Sequence, residues 1–514
     1  MKLNKFIIAA AVCASTAMSC TKLDEKLAST ITKDEADSVI TAPSLLLRAY
    51  NGLQLPYQDQ SNFWALQEMT SDEAVAPTRG GDWDDNGAWR ALKLHTWDAD
   101  HVSIGNAFRN LLQLQFYATN VLEFNPTPQQ AAEAKFLRAL SMFSVLDGWN
   151  QVPFREPNAN LLNPPNVLVG DEATNFIIGD LEAVLNDLPT EGPAYTASQN
   201  AARALLMKLY LNKGAISNRQ APTFDPADME KVIQYADAII GTGKYSLATN
   251  YFDNFAYNNN IISTENIFTQ ENGPGLSTAR GGNAVFCHWA PTLHYAQVPS
   301  GWNGFATVGD FYDLYEATDT RLGGSYPGFT ELTGTKVGYL IGQQYNKDGV
   351  ALEDRKGNKL IFTKALELRE SGNDLEVKGI RVVKYVPDMV TPNGSNSNSA
   401  ENDYVFLRYA DVLLMKAEAL LRLNQAGALA IVNDIRVKRN ASPLADVTLD
   451  DILDERGREL YWEGWRRQDL IRFGKFLQPW QLKPSDDPKA LLFPIPNNDL
   501  AVNPNLNQNE GYAN

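Results

Sequence analysis

Apolar residues recur at three- and four-residue spacing in segments that arrive two by two, and this restricts the chain to a scaffold of packed helices. The spacing predicts helices from Ser44 onward and over 106–125, 129–148, 171–188, 198–214, 227–242, 404–424 and 426–439, the last closed by Pro443. In 129–148, Phe136, Leu140 and Phe143 share a face with Ala139 and Leu146; in 404–424, Leu407, Ala410, Leu414, Ala417 and Leu421 form one stripe. Small residues (Ala201, Ala202, Ala204, Ala236, Ala238, Ala417, Ala419) stand where two helices would cross. A pair of roughly thirty to forty residues cannot bury its apolar face alone, and stacking neighbours supplies the missing surface. The expected fold is mainly α, with tetratricopeptide-like helix pairs and an irregular, loop-rich region with short strands. The strict tetratricopeptide signature is met in no one copy.

Two regions interrupt the helices. Residues 70–101 hold Pro77, Gly80, Gly81, Gly87 and a run of aspartates, and read as a long loop. Residues 246–403 are dense in Asn, Gly, Ser and Thr, with a hairpin expected over 359–387 and a polar loop over 391–403. From Pro479 the chain is rich in proline and asparagine and reads as an extended surface wrap.

The start, MKLNKFIIAAAVCASTAMSC, has Lys2 and Lys5 before an apolar run too short to span a bilayer, then Ala17 and Ser19 before Cys20. Residues 1–19 are read as an export signal, Cys20 as a lipidated first mature residue and 20–41 as a tether. Ala17 stands where such signals commonly have Leu. The body follows as a helical region 42–245 containing the 70–101 loop, an irregular region 246–403, and a C-terminal region 404–514. Cys287 alone remains in the body, so no internal disulfide is expected there.

Charge narrows the partners. Lys and Arg number 45 against 61 Asp and Glu, a net −16 with no basic run, which disfavours nucleic acid and polybasic membrane contact. Four histidines leave little material for metal or histidine chemistry. Asp82, Asp84, Asn86 and Gly87 match the opening of a calcium loop, but Lys93 stands where the bidentate Glu is required; the reading is an Asx-rich turn, with no cofactor and at most a structural calcium. Glu459 and Glu463, four apart, have the spacing of a glycosidase pair. The alternative is ion pairing on the same helix, Glu455 with Arg458 and Glu463 with Arg466 and Arg467. Guanidinium neighbours favour the ionised carboxylate, so the second reading is preferred and no catalytic residue is assigned.

The tryptophans carry the binding signal. Trp83, Trp89 and Trp97 crowd the 70–101 loop, and a loop does not easily bury three indoles. An exposed indole offers a flat apolar face to a sugar ring and one N–H donor. Asp72, Arg79, Asp82, Asp84, Asn86 and Arg90 flank them as partners for hydroxyls. A second cluster joins Trp289, Tyr295, Trp302 and Asn303. Trp149, Trp462, Trp465 and Trp480 are assigned to packing.

Several long stretches coincide: AEAKFLRALSMFSVLDGWNQVPF (132–154), RYADVLLMKAEALLRLN (408–424), ILDERGRELYWEGWRRQDLIRFGKF (452–476) and LFPIPNNDLAVNPNLNQNEGY (492–512). Together with the lipoprotein-type start they resemble the SusD/RagB family of Bacteroidetes over nearly the whole chain. The resemblance implies a non-catalytic, lipid-anchored protein at the outer-membrane surface. It would bind glycan, or peptide in some members, and sit as a lid on a TonB-dependent, SusC-like barrel. It also implies about four tetratricopeptide-like helix pairs in a right-handed superhelical scaffold packed against the irregular region, and an aromatic arc for glycan in the regions that hold the two clusters. A glycoside hydrolase is the alternative from another class.

Overall fold

The structure is a computed structural model that describes residues 40–273, 284–392, 394 and 399–513. The expectations for 1–19, for Cys20 and for most of the tether fall outside the described residues, as does part of the 391–403 loop.

The scaffold is built from α1 (Ala42–Asn51), α2 (Phe63–Glu68), α3 (Ala88–Leu94), α4 (Val102–Val121), α5 (Pro128–Trp149), α6 (Gly170–Glu182), α7 (Gln199–Ser217), α8 (Pro226–Ile240), α9 (Tyr409–Arg422), α10 (Ala428–Lys438), α11 (Leu449–Leu460) and α12 (Arg466–Arg472). Local chemistry sets several starts. Thr127 and Gln130 form a capping box with Pro128 at the first helical position, Ser198 caps α7, Asp225 precedes Pro226 at α8, and Thr448 and Asp451 box α11. Consecutive helices pack as pairs: α4 on α5, α6 on α7, α8 on α9, with α9 carrying α10 and α11. These are tetratricopeptide-like pairs, and Ala201, Ala202, Ala204, Ala236, Ala417 and Ala419 are buried between them.

The third pair is split in sequence. The chain leaves the scaffold after α8 and returns at α9. Strands Asn266–Gln270 and Tyr404–Arg408 pair antiparallel where it leaves and where it re-enters. The helix expected from 404 therefore begins at Tyr409, because its first five residues are strand, all buried.

Three further expectations are corrected. The 70–101 loop contains α3, whose Trp89 and Leu92 are buried between a left-handed Gly87 and a left-handed His95. The 359–387 hairpin does not form: Ile361–Phe362 pairs with Gly342–Gln343, and Arg381–Val383 with Val337–Leu340. Arg381, Val382 and Val383 are buried on both faces, which a free-standing hairpin cannot provide, and Arg369–Glu370 between them is drawn off to pair with Thr78–Arg79. Finally, 452–476 is not one helix. It breaks after Leu460, with Trp462 (φ 65°) and Gly464 (φ 81°) left-handed, before α12 resumes.

That break redirects the charges. Glu455 does pair with Arg458 at 2.7 Å, but Glu463 reaches neither Arg466 nor Arg467. It binds Arg408 (2.8 Å) and Lys384 (2.5 Å), while Arg466 is held by Asp72 at 2.7 Å. Glu459 Oε1 accepts from Arg408 and Arg439, both at 2.8 Å, and its Oε2 accepts from Arg321 at 3.0 Å. Glu265 completes the lattice with Arg408 (3.0 Å) and Arg439 (2.7 Å). Burial pushes the Glu459 carboxyl up, yet Arg439, Arg408 and Arg321 together hold it well below the usual carboxylate range. A second lattice joins Lys208 of α7 to Asp411 of α9 (2.6 Å), Asp411 to Arg456 (3.0 Å), Arg456 to Asp469 (2.8 Å), and Arg472 to both Asp469 (2.6 Å) and Glu418 (2.9 Å).

Removing one member of a buried charge set strands the others in a dry interior. Glu459→Gln is expected to lower unfolding free energy by about 3–5 kcal/mol in denaturant titration. Lys475→Ala, which breaks a pair with the exposed Asp450, should cost under about 1 kcal/mol. Equal, small losses in both variants would show that the lattice does not hold the fold.

Candidate functional site

The segment 78–90 and the segment 286–305 meet at one edge of the irregular region. The first is held by strand pairing at Thr78–Arg79 and by α3, the second by Trp302 N–H to Ala290 O (2.7 Å) and Asn303 N–H to Leu293 O (2.8 Å). Their contact is specific. Trp83 is left-handed (φ 61°), as are Asp85 (40°), Asn86 (54°), Gly87 (83°) and, across the contact, Asn303 (52°). A non-glycine residue held there costs on the order of 1–3 kcal/mol, so the surroundings must enforce it. They do so through Gly304, where an added Cβ would lie 2.2 Å from the Trp83 ring, and through the Trp83 Nε1–H, which donates to Trp302 O at 3.0 Å.

The result is an aromatic platform. Trp83 and Trp302 have ring centroids 6.5 Å apart and 32° between planes, and Phe286 meets Trp302 edge-on at 5.8 Å. Trp302 is 38% exposed; Trp83 and Phe286 are half-buried. Beside it, Arg355 lies over the Tyr295 ring at 4.3 Å, and the Tyr295 hydroxyl donates to Asp82 at 3.3 Å. Burial and the Asp82 charge raise the Tyr295 hydroxyl above its ordinary range. Behind lies a cleft of about 110 Å³ lined by residues that include Arg79, Asp82, Asn303, Asp354, Arg355 and Glu376. A larger hollow of about 480 Å³, between the end of α7 and the C-terminal tail, has no aromatic lining.

Of the expected site residues, Arg79, Asp82, Trp83, Tyr295, Trp302 and Asn303 are brought together here. Asp84 sits at the rim, where a hydrogen bond from Arg90 holds its carboxyl below the usual range; Asn86 is exposed nearby. Three do not present themselves to a ligand. Asp72 is committed to Arg466. Trp89 is buried, its Nε1–H donating to Asp85. Trp289 is fully buried. Trp97 is likewise buried, bonded to the Tyr512 hydroxyl at 2.7 Å. The loop does bury indoles, because α3 and the C-terminal tail supply the covering surface. Trp149 and Trp462 are core, and Trp465 and Trp480 pack half-buried against it.

Arg355, Phe286 and Glu376 were not legible as site residues. Arg355 and Glu376 lie far from either cluster in sequence, and Phe286, three residues before Trp289, reads as an ordinary apolar residue. Lys93, at the would-be calcium position, donates from a buried ammonium to Ser71 O and Ala74 O. Among the described residues no three His, Cys, Asp or Glu side chains are grouped to hold a metal. Glu459 and Glu463 lie inside the first lattice, at most 2% exposed.

The sequence profile described as the SusD family matches residues 240–512. The starch-binding protein SusD of Bacteroides thetaiotaomicron is 28% identical over 431 residues, covering 75% of this chain and 73% of that protein. A SusD-like protein of Bacteroides ovatus is 26% identical, covering 85% and 82%. Among solved structures, a SusD superfamily protein of Parabacteroides distasonis aligns with a TM-score of 0.70 at 19% identity, over 94% of this chain and 100% of that one. Surface glycan-binding protein A of Bacteroides thetaiotaomicron, in complex with laminarihexaose, aligns with a TM-score of 0.67 at 19% identity, over 91% and 98%.

Burial separates the indoles by experiment. Trp289→Ala is expected to cost about 3–5 kcal/mol of stability, whereas Trp302→Ala should leave the melting temperature nearly unchanged. Gly304→Ala should displace Trp83, read as a red-shifted, more quenchable tryptophan fluorescence; an unchanged spectrum would show that Trp83 does not rest on Gly304.

Proposed function

This chain belongs to the SusD family, and from that premise we propose that it is a non-catalytic, cell-surface glycan-binding lipoprotein that hands its ligand to a TonB-dependent outer-membrane transporter. The observation that carries the binding reading is the Trp83–Trp302 platform: two indoles held at a fixed angle, one of them open, beside Tyr295, Asp82 and Arg355. An apolar sugar face stacks on indole, and the polar rim takes the hydroxyls around its edge. Supporting it are a starch-binding relative and a structural neighbour in complex with a laminarin oligosaccharide.

The non-catalytic reading rests on where the carboxylate pair lies. Glu459 and Glu463 are dry and engaged by guanidinium and ammonium groups, so neither is poised to donate a proton to a glycosidic oxygen. The lipid anchor is carried by Cys20 after the apolar run 6–18. No helix among the described residues is long and apolar enough to cross a membrane.

Calorimetric titration with a panel of oligosaccharides tests the binding. Stacking contributes about 0.5–1.5 kcal/mol beyond area burial, so Trp302→Ala should weaken binding tenfold or more. Parent-like affinity in that variant, or steady release of reducing ends by the pure protein, would overturn the proposal. Separately, Cys20→Ala should release the protein from membrane fractions; retention at high salt would show a different anchor.

A further inference from the structure

The cleft behind the platform has donors without acceptors. Its carboxylates are already engaged. Glu376 accepts from His294 Nε2 (2.7 Å) and from Arg355 N (3.1 Å) and Nε (2.5 Å). Asp354 accepts from Lys356 N and Asn358 N, both at 2.8 Å, and from Asn358 Nδ2 at 3.1 Å. Asp82 takes the Tyr295 hydroxyl and Arg355.

The opposite holds for Arg79, which is only 4% exposed. It donates to Leu375 O (2.9 Å) and Gly304 O (3.3 Å), its Nε–H has no partner, and among the described residues it makes no ion pair. Glu370, the carboxylate that most favours its charge, is taken by Lys378 at 3.2 Å. Burial lowers the Arg79 pKa to about 10, against that help. Arg381, fully buried, donates to the carbonyls of Glu376, Lys378 and Gly379 and has no carboxylate either. Its Nη2–H also donates to Asn303 Oδ1 at 2.8 Å, which leaves Nδ2–H as the group Asn303 offers to the cleft.

We propose that this cleft is an oxyanion subsite of the glycan site, so that the ligand is an acidic sugar whose carboxylate or sulfate ester is received by Arg79 and Asn303 Nδ2. The inference rests on the glycan reading above and narrows it. Two buried guanidiniums without carboxylates are an unusual expense in a folded protein unless a third party supplies the charge. The Arg79 Nε–H is the unpartnered donor, and an ionised acceptor would neutralise the buried guanidinium charge as a hydroxyl cannot. The volume of about 110 Å³ has room for a charged substituent and the ring atoms that carry it. The platform lies beside it, so the same ring that stacks can place its substituent inward.

The test is titration of the full chain with laminarihexaose, an oligogalacturonate of equal length and a sulfated oligosaccharide of equal length. The parent is expected to bind at least one acidic ligand ten or more times tighter than the neutral one, and which acidic ligand it prefers identifies the oxyanion. Asn303→Asp keeps the Arg381 contact and tolerates the left-handed backbone, but puts a negative charge in the cleft. It should cut acidic binding at least ten times more than it cuts neutral binding, and should not lower the melting temperature. Arg79→Gln should act in the same direction; if it fails to fold, Asn303→Asp decides alone. Neutral binding as tight as acidic, or acidic binding unmoved in Asn303→Asp, overturns this inference and leaves the glycan reading standing. No binding in any arm overturns both.

Discussion

The Glu459 carboxylate, facing three guanidinium groups from three separate stretches of chain, is the contact on which the rest of the structure depends. Arg408 comes from the strand that re-enters the scaffold, Arg439 from the end of α10, and Arg321 from the middle of the irregular region. None of these stretches would find the others through apolar contact alone, because the irregular region has few regular elements with which to pack. Charge supplies the address. An unmatched ion in a dry interior is unfavourable, so the arrangement that pairs Glu459, Glu463 and Glu265 with Arg408, Arg439 and Arg321 is favoured, and it fixes where these stretches meet.

The platform is then a consequence of backbone geometry rather than of side-chain choice. Trp83 stands where it does because four residues around it are left-handed and because Gly304 lets an indole lie directly on the facing backbone. At this edge left-handed residues from two loops and one close backbone approach fall within a single contact.

Much of this architecture could be read in advance. The helix pairs followed from periodicity, with α4 and α8 each burying one face while α5 and α7 are buried nearly all round, and the C-terminal stretches were long enough to carry a family resemblance. What failed did so for physical reasons. Glu463 was paired on the assumption of a continuous helix, and a left-handed turn at Trp462 and Gly464 undid it. Trp89 and Trp289 were taken as open because loops seldom cover indoles, yet here a short helix and a folded-over loop do so. Trp83, Trp302 and Tyr295 were singled out because aromatic residues in a Gly- and Asp-rich context are conspicuous, and Asn303 because it adjoins Trp302; the structure places the four at one edge. Arg355 and Arg381 were not, because their meaning lies wholly in what they touch across long stretches of chain.

The split pair α8–α9 has a consequence for how such a chain is made. Synthesis proceeds from the N-terminus, and α8 emerges long before its partner. The scaffold up to Ile240 is thus left with an uncovered apolar flank while the entire irregular region is delivered, and the carboxylates of α11 arrive later still. Contacts between such distant segments form late and slowly, and half-made chains with open flanks are prone to stick to one another. In a chain wired in this order the residues from Leu449 onward act as the latch that ends the open interval.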